Sequence, residues 1–466
     1  MEDTVVEYVL IAIPGKTDPI RSEHDGPILH IVRNYKPKKV YLILTEEIGK
    51  AEAEYHLNEG AIQLLNKQCG IECEVELIQT KIIKPHSYDD LSEPLLKECI
   101  RIKEENSKRK ILLNITSGTP QMETAMCMIA ISDPERYVPV QVSSPQRSSN
   151  NGKMFNPKED LLEDWFETNM DNEPNIPSRC SEPQLWNFKR PIIQMQIESL
   201  ICNYDYAGAL QLYEENKGIF SEVVGELLRH AKKRLNLEHK EAQAIAEKLQ
   251  LKQKLYPIAR SNIAQLVEFF SSMEIKQYRG ELNDLVLRLE IMTEYLGVYI
   301  LENCMKIKLE DITIGSKSKN SYIMFMAKGK CIQKMPGIKE YLDEQFSDKK
   351  SGQYEWGKAL NALTVTHLVA FMSKQPQYKK FEMNAKEMLQ WSILSNEVRN
   401  PAAHTITSIT EDTIKQSYGK DSMALCKSIK KVLMNAFGGE VKKEGFESYE
   451  QINSFIKKAL NGESIL

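Results

Sequence analysis

Five short apolar runs are spaced through the first 143 residues: VVEYVLIAI (5–13), VYLILT (40–45), CEVELIQT (73–80), KILLNI (110–115) and VPVQVS (138–143), with a helix-length interval after each of the first four. This βαβ alternation admits few folds. Strands that are apolar almost throughout suit a parallel sheet covered on both faces, and right-handed crossovers then bring every strand's carboxyl end to one edge. The first third of the chain is therefore expected to be an α/β, Rossmann-like domain whose site lies on that edge.

Two loops on the edge are built from small and polar residues. PGKTDP (14–19) follows the first run and TSGTPQ (116–121) follows the fourth. The second belongs to NITSGTPQM (114–122), which leads into METAMCMIAI with apolar residues at helical spacing. A strand feeding a helix through Thr116, Ser117, Gly118 and Thr119 leaves backbone N–H groups free at the carboxyl edge, where phosphates bind. The same stretch also reads as a tight strand-to-helix turn capped by Ser or Thr. Asn114 either positions a phosphate or ends its strand. Neither loop is a GxGxxG, and Lys16 lacks the glycine spacing of a P-loop, which disfavours a mononucleotide or nucleotide-cofactor enzyme.

Around 144–187 the texture changes to SSPQRSSNNGK and NEPNIPSRCSEP, which marks a domain boundary. From about 188 onward the periodicity is helical almost everywhere, as in ELNDLVLRLEIMTEYLGVYILENCM. The Lys-rich interval 306–337 interrupts it and is expected to be a loop or small insertion. A length of 466 residues calls for two or three domains. With 65 acidic against 61 basic residues the formal charge is -4, so any nucleic-acid site must be local and no membrane surface is indicated. Nine cysteines without a CxxC pair, Cys69 and Cys73 being the closest couple, read as reduced structural thiols. The opening MEDTVVEYVLIAIPGK is neither a signal peptide nor a spanning helix, which points to the cytoplasm. His24, His30 and His86 are expected to be surface or core residues, and His367 part of a packed helix.

The second informative stretch is SNEVRNPAAHTIT (395–407). Asn400 suits an N-cap and Pro401 the first helical turn, which accounts for two residues and leaves Arg399 and His404 unexplained. Five residues apart on an ideal helix they would diverge by about 140°, so only a motif straddling a helix start turns both toward one phosphate. RNA carries its own nucleophile in the 2′-hydroxyl. Cleavage then needs in-line positioning, a group to move protons and a cation for the charge on the phosphorane. Histidine and arginine supply the last two without a metal.

Arg399-Asn400-Pro401-Ala402-Ala403-His404, near the end of an all-helical region, resembles the R-x4-H motif of HEPN ribonucleases, and NITSGTPQM resembles the signature of CARF domains, which sense cyclic oligoadenylates. Together with GKTDPI, DGPILHIVRNYKPKKVYLILT and NYDYAGALQLY, the chain resembles the stand-alone CARF–HEPN ribonucleases of type III CRISPR systems over nearly its whole length. The resemblance implies a CARF sensor (1–170), a helical connector (180–280) and a HEPN nuclease (281–466). It implies a homodimer cutting single-stranded RNA, with no DNA substrate, no membrane, no metal and a cyclic oligoadenylate as activator. It assigns ring binding to Gly15, Lys16, Thr17, Asp18, Asn114, Thr116, Ser117, Gly118, Thr119 and Gln121, and catalysis to Arg399, Asn400 and His404. The TDPI and DGPILH segments look like members that use the hexa-adenylate ring. Whether the sensor also cleaves its ring stays open, and two rivals remain: a ring-sensing transcription regulator without nuclease activity, and a HEPN toxin that needs no ligand.

Overall fold

The computed structural model describes residues 7–21, 23–145, 156–258, 260–318, 321–346, 353–399 and 408–465. The chain divides into two compact units, residues 1–192 and 193–466.

In the first unit the strands are β1 (Tyr8–Ala12), β2 (Ile20–Arg21), β3 (His24–Asp25), β4 (Lys39–Leu44), β5 (Glu74–Gln79), β6 (Lys110–Asn114), β7 (Tyr137–Val142) and β8 (Cys180–Ser181). Six of them form one sheet in the order β5-β4-β1-β6-β7-β8; its first five strands are parallel and β8 runs antiparallel to β7. All five expected strands are present within a few residues of the apolar runs. β2, β3 and β8 were not expected, because a two-residue strand is too short to carry an alternation.

Side-chain parity explains how the sheet is covered. Leu10 and Ala12 of β1, Val40, Leu42 and Leu44 of β4, and Leu112 of β6 face helices α1 (Pro27–Tyr35) and α3 (Leu57–Cys69). Val9, Ile11, Tyr41, Ile43, Ile111 and Leu113 face α4 (Tyr88–Glu105) and α5 (Pro120–Ser132). Successive residues of a strand point to opposite faces, so strands without a polar face fit only between two helical layers. Helix α2 (Glu46–Tyr55) ends at His56 in the left-handed region, and buried Glu52 accepts hydrogen bonds from the backbone N–H of Asn58 and Glu59 to start α3.

The second unit is helical around two apolar clusters. One gathers Tyr206–Glu215, Glu222–Leu235 and the C-terminal helix Ser448–Leu460; the other packs Ser261–Tyr278, Leu282–Tyr299, Ala362–Ser373, Glu382–Leu394 and Ser422–Phe437 around fully buried Trp391. Arg234 is 3 % exposed and joins three of these helices. Its guanidinium donates to Glu268 Oε1 at 2.7 Å and to Ser448 Oγ at 2.9 Å, between the rings of Tyr256 and Tyr449. His367 sits in a packed helix as expected, 7 % exposed. The interval 306–337 is not a plain loop: Thr313–Ser318 and Ser321–Met326 pair as an antiparallel hairpin, followed by the helix Lys328–Lys334. Gly315, Ser316 and Lys317 break the apolar alternation of its first strand, which hid the hairpin.

Candidate functional site

β1 lies where the order of the sheet reverses, with β4 on one side and β6 on the other. The loops leaving β1 and β6 therefore start from adjacent carboxyl ends at the switch point, where the crevice that holds ligands in open parallel sheets usually lies. Here they touch through backbone. A Cβ on Gly15 would come within 2.6 Å of the Gly118 nitrogen and 3.1 Å of its Cα. Gly118 itself has φ +98°, in the left-handed region, and a Cβ there would meet the Met122 sulfur at 2.9 Å.

Most polar side chains of the two loops serve the loops themselves. The Asp18 carboxylate accepts from the Gly15 N–H (3.0 Å) and from the Ile28 N–H in the first turn of α1 (3.0 Å). Burial pushes its pKa up to about 6, against those two amides and the Ser117 hydroxyl. Asn114 is buried; its Oδ1 accepts from the Thr116 N–H and its amide donates to Ser117 Oγ at 2.7 Å. Thr116 Oγ1 accepts from the Val142 N–H at 2.9 Å, tying the loop to β7. Thr119 is the N-cap of α5: its hydroxyl accepts from the Met122 N–H at 3.3 Å and donates to the Pro85 carbonyl at 2.7 Å. The capping role weighed for this stretch is thus present at Thr119, and Asn114 organises the turn that ends β6. Lys16 is exposed, and Thr17 and Gln121 are partly buried.

Behind the first loop lies a polar cluster that the sequence reading left out. Asp25, His30 and Asp171 are 4 %, 1 % and 4 % exposed and bring three potential ligand atoms within 4.8 Å of one another. Two arginines already answer their charge. Arg33 donates Nε to Asp25 Oδ2 at 2.6 Å and Nη2 to Oδ1 at 2.9 Å, and Arg179 donates to Asp171 Oδ2 at 2.8 Å. Burial alone would raise the Asp25 carboxyl; hydrogen bonds from His30, Arg33 and Asn169, with the Arg33 charge, outweigh it and hold the pKa below the usual range. His30 is a core histidine, as expected, and its Nε2 accepts from the Arg179 N–H at 3.0 Å. The i, i+3 pair of His30 and Arg33 in DGPILHIVRNY was the available signal.

In the second unit the helix Glu382–Leu394 runs on into a wide π turn, Ser395–Arg399. Such turns occur often at functional sites. Asn400, Pro401 and His404, with the helix start expected there, lie outside the described residues, and only the backbone of Arg399 is described. Both flanks are held. The Ile409 N–H donates to Asn283 Oδ1 at 2.8 Å, Thr410 caps the helix Glu411–Tyr418 by accepting from Thr413 N–H, and Glu397 accepts from the Ser417 hydroxyl. Beneath the turn, Ser428 Oγ accepts from the Trp391 indole at 3.2 Å and donates to Glu387 at 2.6 Å.

Family models match in the order the sequence reading implies: the Csm6 CARF domain at residues 74–180, the Csm6 6H domain at 183–235 and the Csm6 HEPN domain at 255–457. The chain belongs to the Csm6 family. Similar relatives are the CRISPR system endoribonuclease Csm6 of Enterococcus italicus, 26 % identical over 97 % of this chain and 100 % of that one, and the Csm6 of Mycobacterium tuberculosis, 26 % identical over 97 % and 99 %. The solved structure of Enterococcus italicus Csm6 bound to cyclic hexa-2′-fluoro-hexa-dAMP shares the fold, with a TM-score of 0.69 at 22 % identity over 97 % of this chain and 100 % of that one. An α/β CARF sheet followed by helical 6H and HEPN regions is thus the Csm6 architecture of this chain. Among the described residues no helix is long and apolar enough to cross a membrane.

Proposed function

We propose that this chain is a single-strand endoribonuclease of type III CRISPR defence, activated when a cyclic oligoadenylate occupies the crevice between the β1 and β6 loops. The observation that carries the reading is the backbone approach of Gly15 to Gly118 at the reversal of the sheet, in a chain similar along its length to Csm6 endoribonucleases. Glycines at both positions let the two backbones meet with no side chain between them, so a ribose or phosphate can approach the Gly118 amide, and exposed Lys16 adds a cation. The hexa-adenylate ring is the preferred activator, in keeping with the six-membered analogue in the Enterococcus italicus structure. The sensor is assigned to 1–170, the connector to 180–280 and the nuclease to 281–466.

The nuclease chemistry is assigned to Arg399, Asn400 and His404. His404 moves protons to and from the 2′-hydroxyl and leaving oxygen, Arg399 answers the charge on the phosphorane, and no step requires a metal. One such pair per chain reaches a phosphate from one side only, so the active form is a cytoplasmic homodimer with a composite site. The helix Leu282–Tyr299, whose Asn283 anchors the segment after the motif, exposes Leu287, Ile291 and Tyr295 at i, i+4 and i+8, which suits a two-fold partner. Incubation with defined rings and a quenched RNA reporter tests the reading. Cleavage dependent on the ring supports it, ring-independent cleavage returns the toxin alternative, and ring binding without cleavage returns the regulator.

A further inference from the structure

The helical unit holds a cavity of about 480 Å³ where Ser261–Tyr278, Ser422–Phe437, Ser448–Leu460 and the turn before Tyr206 converge. Among the described residues, its lining includes none of the sensor crevice. The chemistry of its walls is divided. Lys427 and Lys430 stand one turn apart on Ser422–Phe437, whereas the carboxylates Glu274, Glu447 and Glu450 come from the other elements. Buried Phe446 and Tyr449 form an aromatic base. Tyr204 and Tyr278 meet edge to face with centroids 5.5 Å apart, and Tyr278 is 60 % exposed.

Two groups on this wall are set for a visitor. Ser271 is 3 % exposed, lines the cavity, and its hydroxyl has no hydrogen-bond partner. A buried hydroxyl left unpaired is costly, so natural interiors seldom keep one without a use. Glu274 is only loosely matched, with the Lys430 ammonium 3.7 Å away, and burial raises its carboxyl pKa. Tyr204 is a bulky residue held at φ +55°, its hydroxyl donating to Glu450 Oε1 at 3.0 Å. Such backbone outliers concentrate at ligand sites.

A molecule that satisfies all of these at once has a flat apolar face, an N–H donor on its edge and an anionic group. We propose that this cavity binds a nucleotide whose base carries an exocyclic amino group, either free or as one residue of an RNA strand. The amino group donates to Glu274, the Ser271 hydroxyl pairs with a polar atom on the base edge, the base lies against the aromatic wall that includes Tyr278, and the phosphate sits on Lys427 and Lys430. The volume lies within the range of small-ligand sites, and junctions between packed elements are where such sites occur. A carboxylate accepting from an exocyclic amine is a known mode of base recognition, and aromatic stacking with a lysine at the phosphate is the usual single-strand complement.

The site goes beyond the ring-activated ribonuclease reading and does not rest on it. The full chain is titrated by calorimetry with AMP, CMP, UMP, inorganic phosphate and a cleavage-resistant 2′-O-methyl RNA tetramer. AMP and CMP are expected to bind about tenfold tighter than UMP or phosphate, the difference made by one hydrogen bond to a charged acceptor. Lys430→Met and Ser271→Ala are each expected to weaken AMP about tenfold while cyclic hexa-adenylate affinity stays unchanged. Ser271→Ala also separates the site from a structural role, because removing an unpaired hydroxyl leaves the melting temperature equal or higher while affinity falls. A tetramer that outcompetes AMP identifies the ligand as RNA, and the reverse identifies a free nucleotide. Equal affinity for UMP and AMP, or AMP binding untouched by both substitutions, overturns the proposal.

Discussion

Gly15→Ala is the sharpest test of the crevice between β1 and β6. Gly15 lies outside the left-handed region, so alanine is conformationally allowed there and its cost comes from contact alone. The new Cβ would sit 2.6 Å from the Gly118 nitrogen, against the 3.4 Å at which ordinary contact begins. The loops must therefore part by about 0.8 Å, and since the obstacle is backbone, no side chain can turn aside. Overpacking of this kind costs about 1–3 kcal/mol, offset by about 0.4–1 kcal/mol from the stiffer unfolded chain. The net loss of roughly 1–2 kcal/mol should lower the melting temperature by about 2–8 °C, measured by differential scanning calorimetry. Ring affinity should suffer more. Displacing the Gly118 amide removes a hydrogen bond to a charged phosphate, about 1.5–3 kcal/mol, and weakens cyclic hexa-adenylate at least tenfold in isothermal titration. A variant that melts as expected yet binds the ring with wild-type affinity would remove the ring from this crevice.

Thr119→Ala should cost about 0.5–2 kcal/mol of stability through the lost cap of α5, read by urea denaturation, with ring affinity falling only as far as the turn loosens. Asp25 has its folded pKa below its unfolded value, so its ion pairs contribute stability that is present above the usual carboxylate pKa and lost as pH falls through the folded one; Asp25→Asn should flatten the acid limb of a denaturation series below about pH 4. RNA cleavage should persist in EDTA and leave a 2′,3′-cyclic phosphate, and a 2′-O-methyl at the scissile position should block it; activity lost to chelation and restored by magnesium would overturn that chemistry. His404→Ala and Arg399→Ala should each abolish cleavage without weakening ring binding, and a purified heterodimer of wild-type and His404→Ala chains should fall well below half of wild-type activity. A rate at half would reject the composite site and spare the ribonuclease.

What was legible in the sequence was what long-range pattern encodes. The central strands β1, β4 and β6 could be read because burial on both faces forces apolar residues at nearly every position, as Val9 to Ala12 and Ile111 to Leu113 illustrate. The two edge loops could be placed because parallel strands put every carboxyl end on one edge of the sheet. What the individual hydroxyls do was not legible. Thr116, Ser117 and Thr119 look alike in the sequence, yet Thr116 is tied to β7, Ser117 to Asn114 and Thr119 to α5 and Pro85, and these assignments depend on which backbone groups the tertiary fold leaves in need of a partner. The cluster of Asp25, His30, Arg33, Asp171 and Arg179 was hidden for a simpler reason: its members are separated by up to 154 positions and no local spacing links them.

That distribution of hydrogen bonds bears on how the crevice would discriminate. If Asp18, Asn114, Thr116 and Thr119 all presented their side chains outward, each would pay rotamer entropy on binding and each could be satisfied by water in the empty site. Instead their oxygens are bound to amides of the loops and of α1, α5 and β7, which fixes the loops before any ligand arrives. The groups left to meet a ring are backbone N–H donors beside Gly15 and Gly118 and the exposed lysine between the loop and solvent. Amides held in place read the spacing of phosphates and riboses, since they cannot turn to suit a different span. Ring size would then be selected by the separation of the two loops and, in a dimer, of their two copies. On this account exchanging Lys16 for glutamine should lower affinity for hexa- and tetra-adenylate rings alike, because a flexible cation contributes charge without geometry. A change that parts the loops, such as Gly15→Ala, should alter the ratio between the rings, and paired titrations in which Lys16→Gln shifted that ratio while Gly15→Ala left it fixed would contradict the argument.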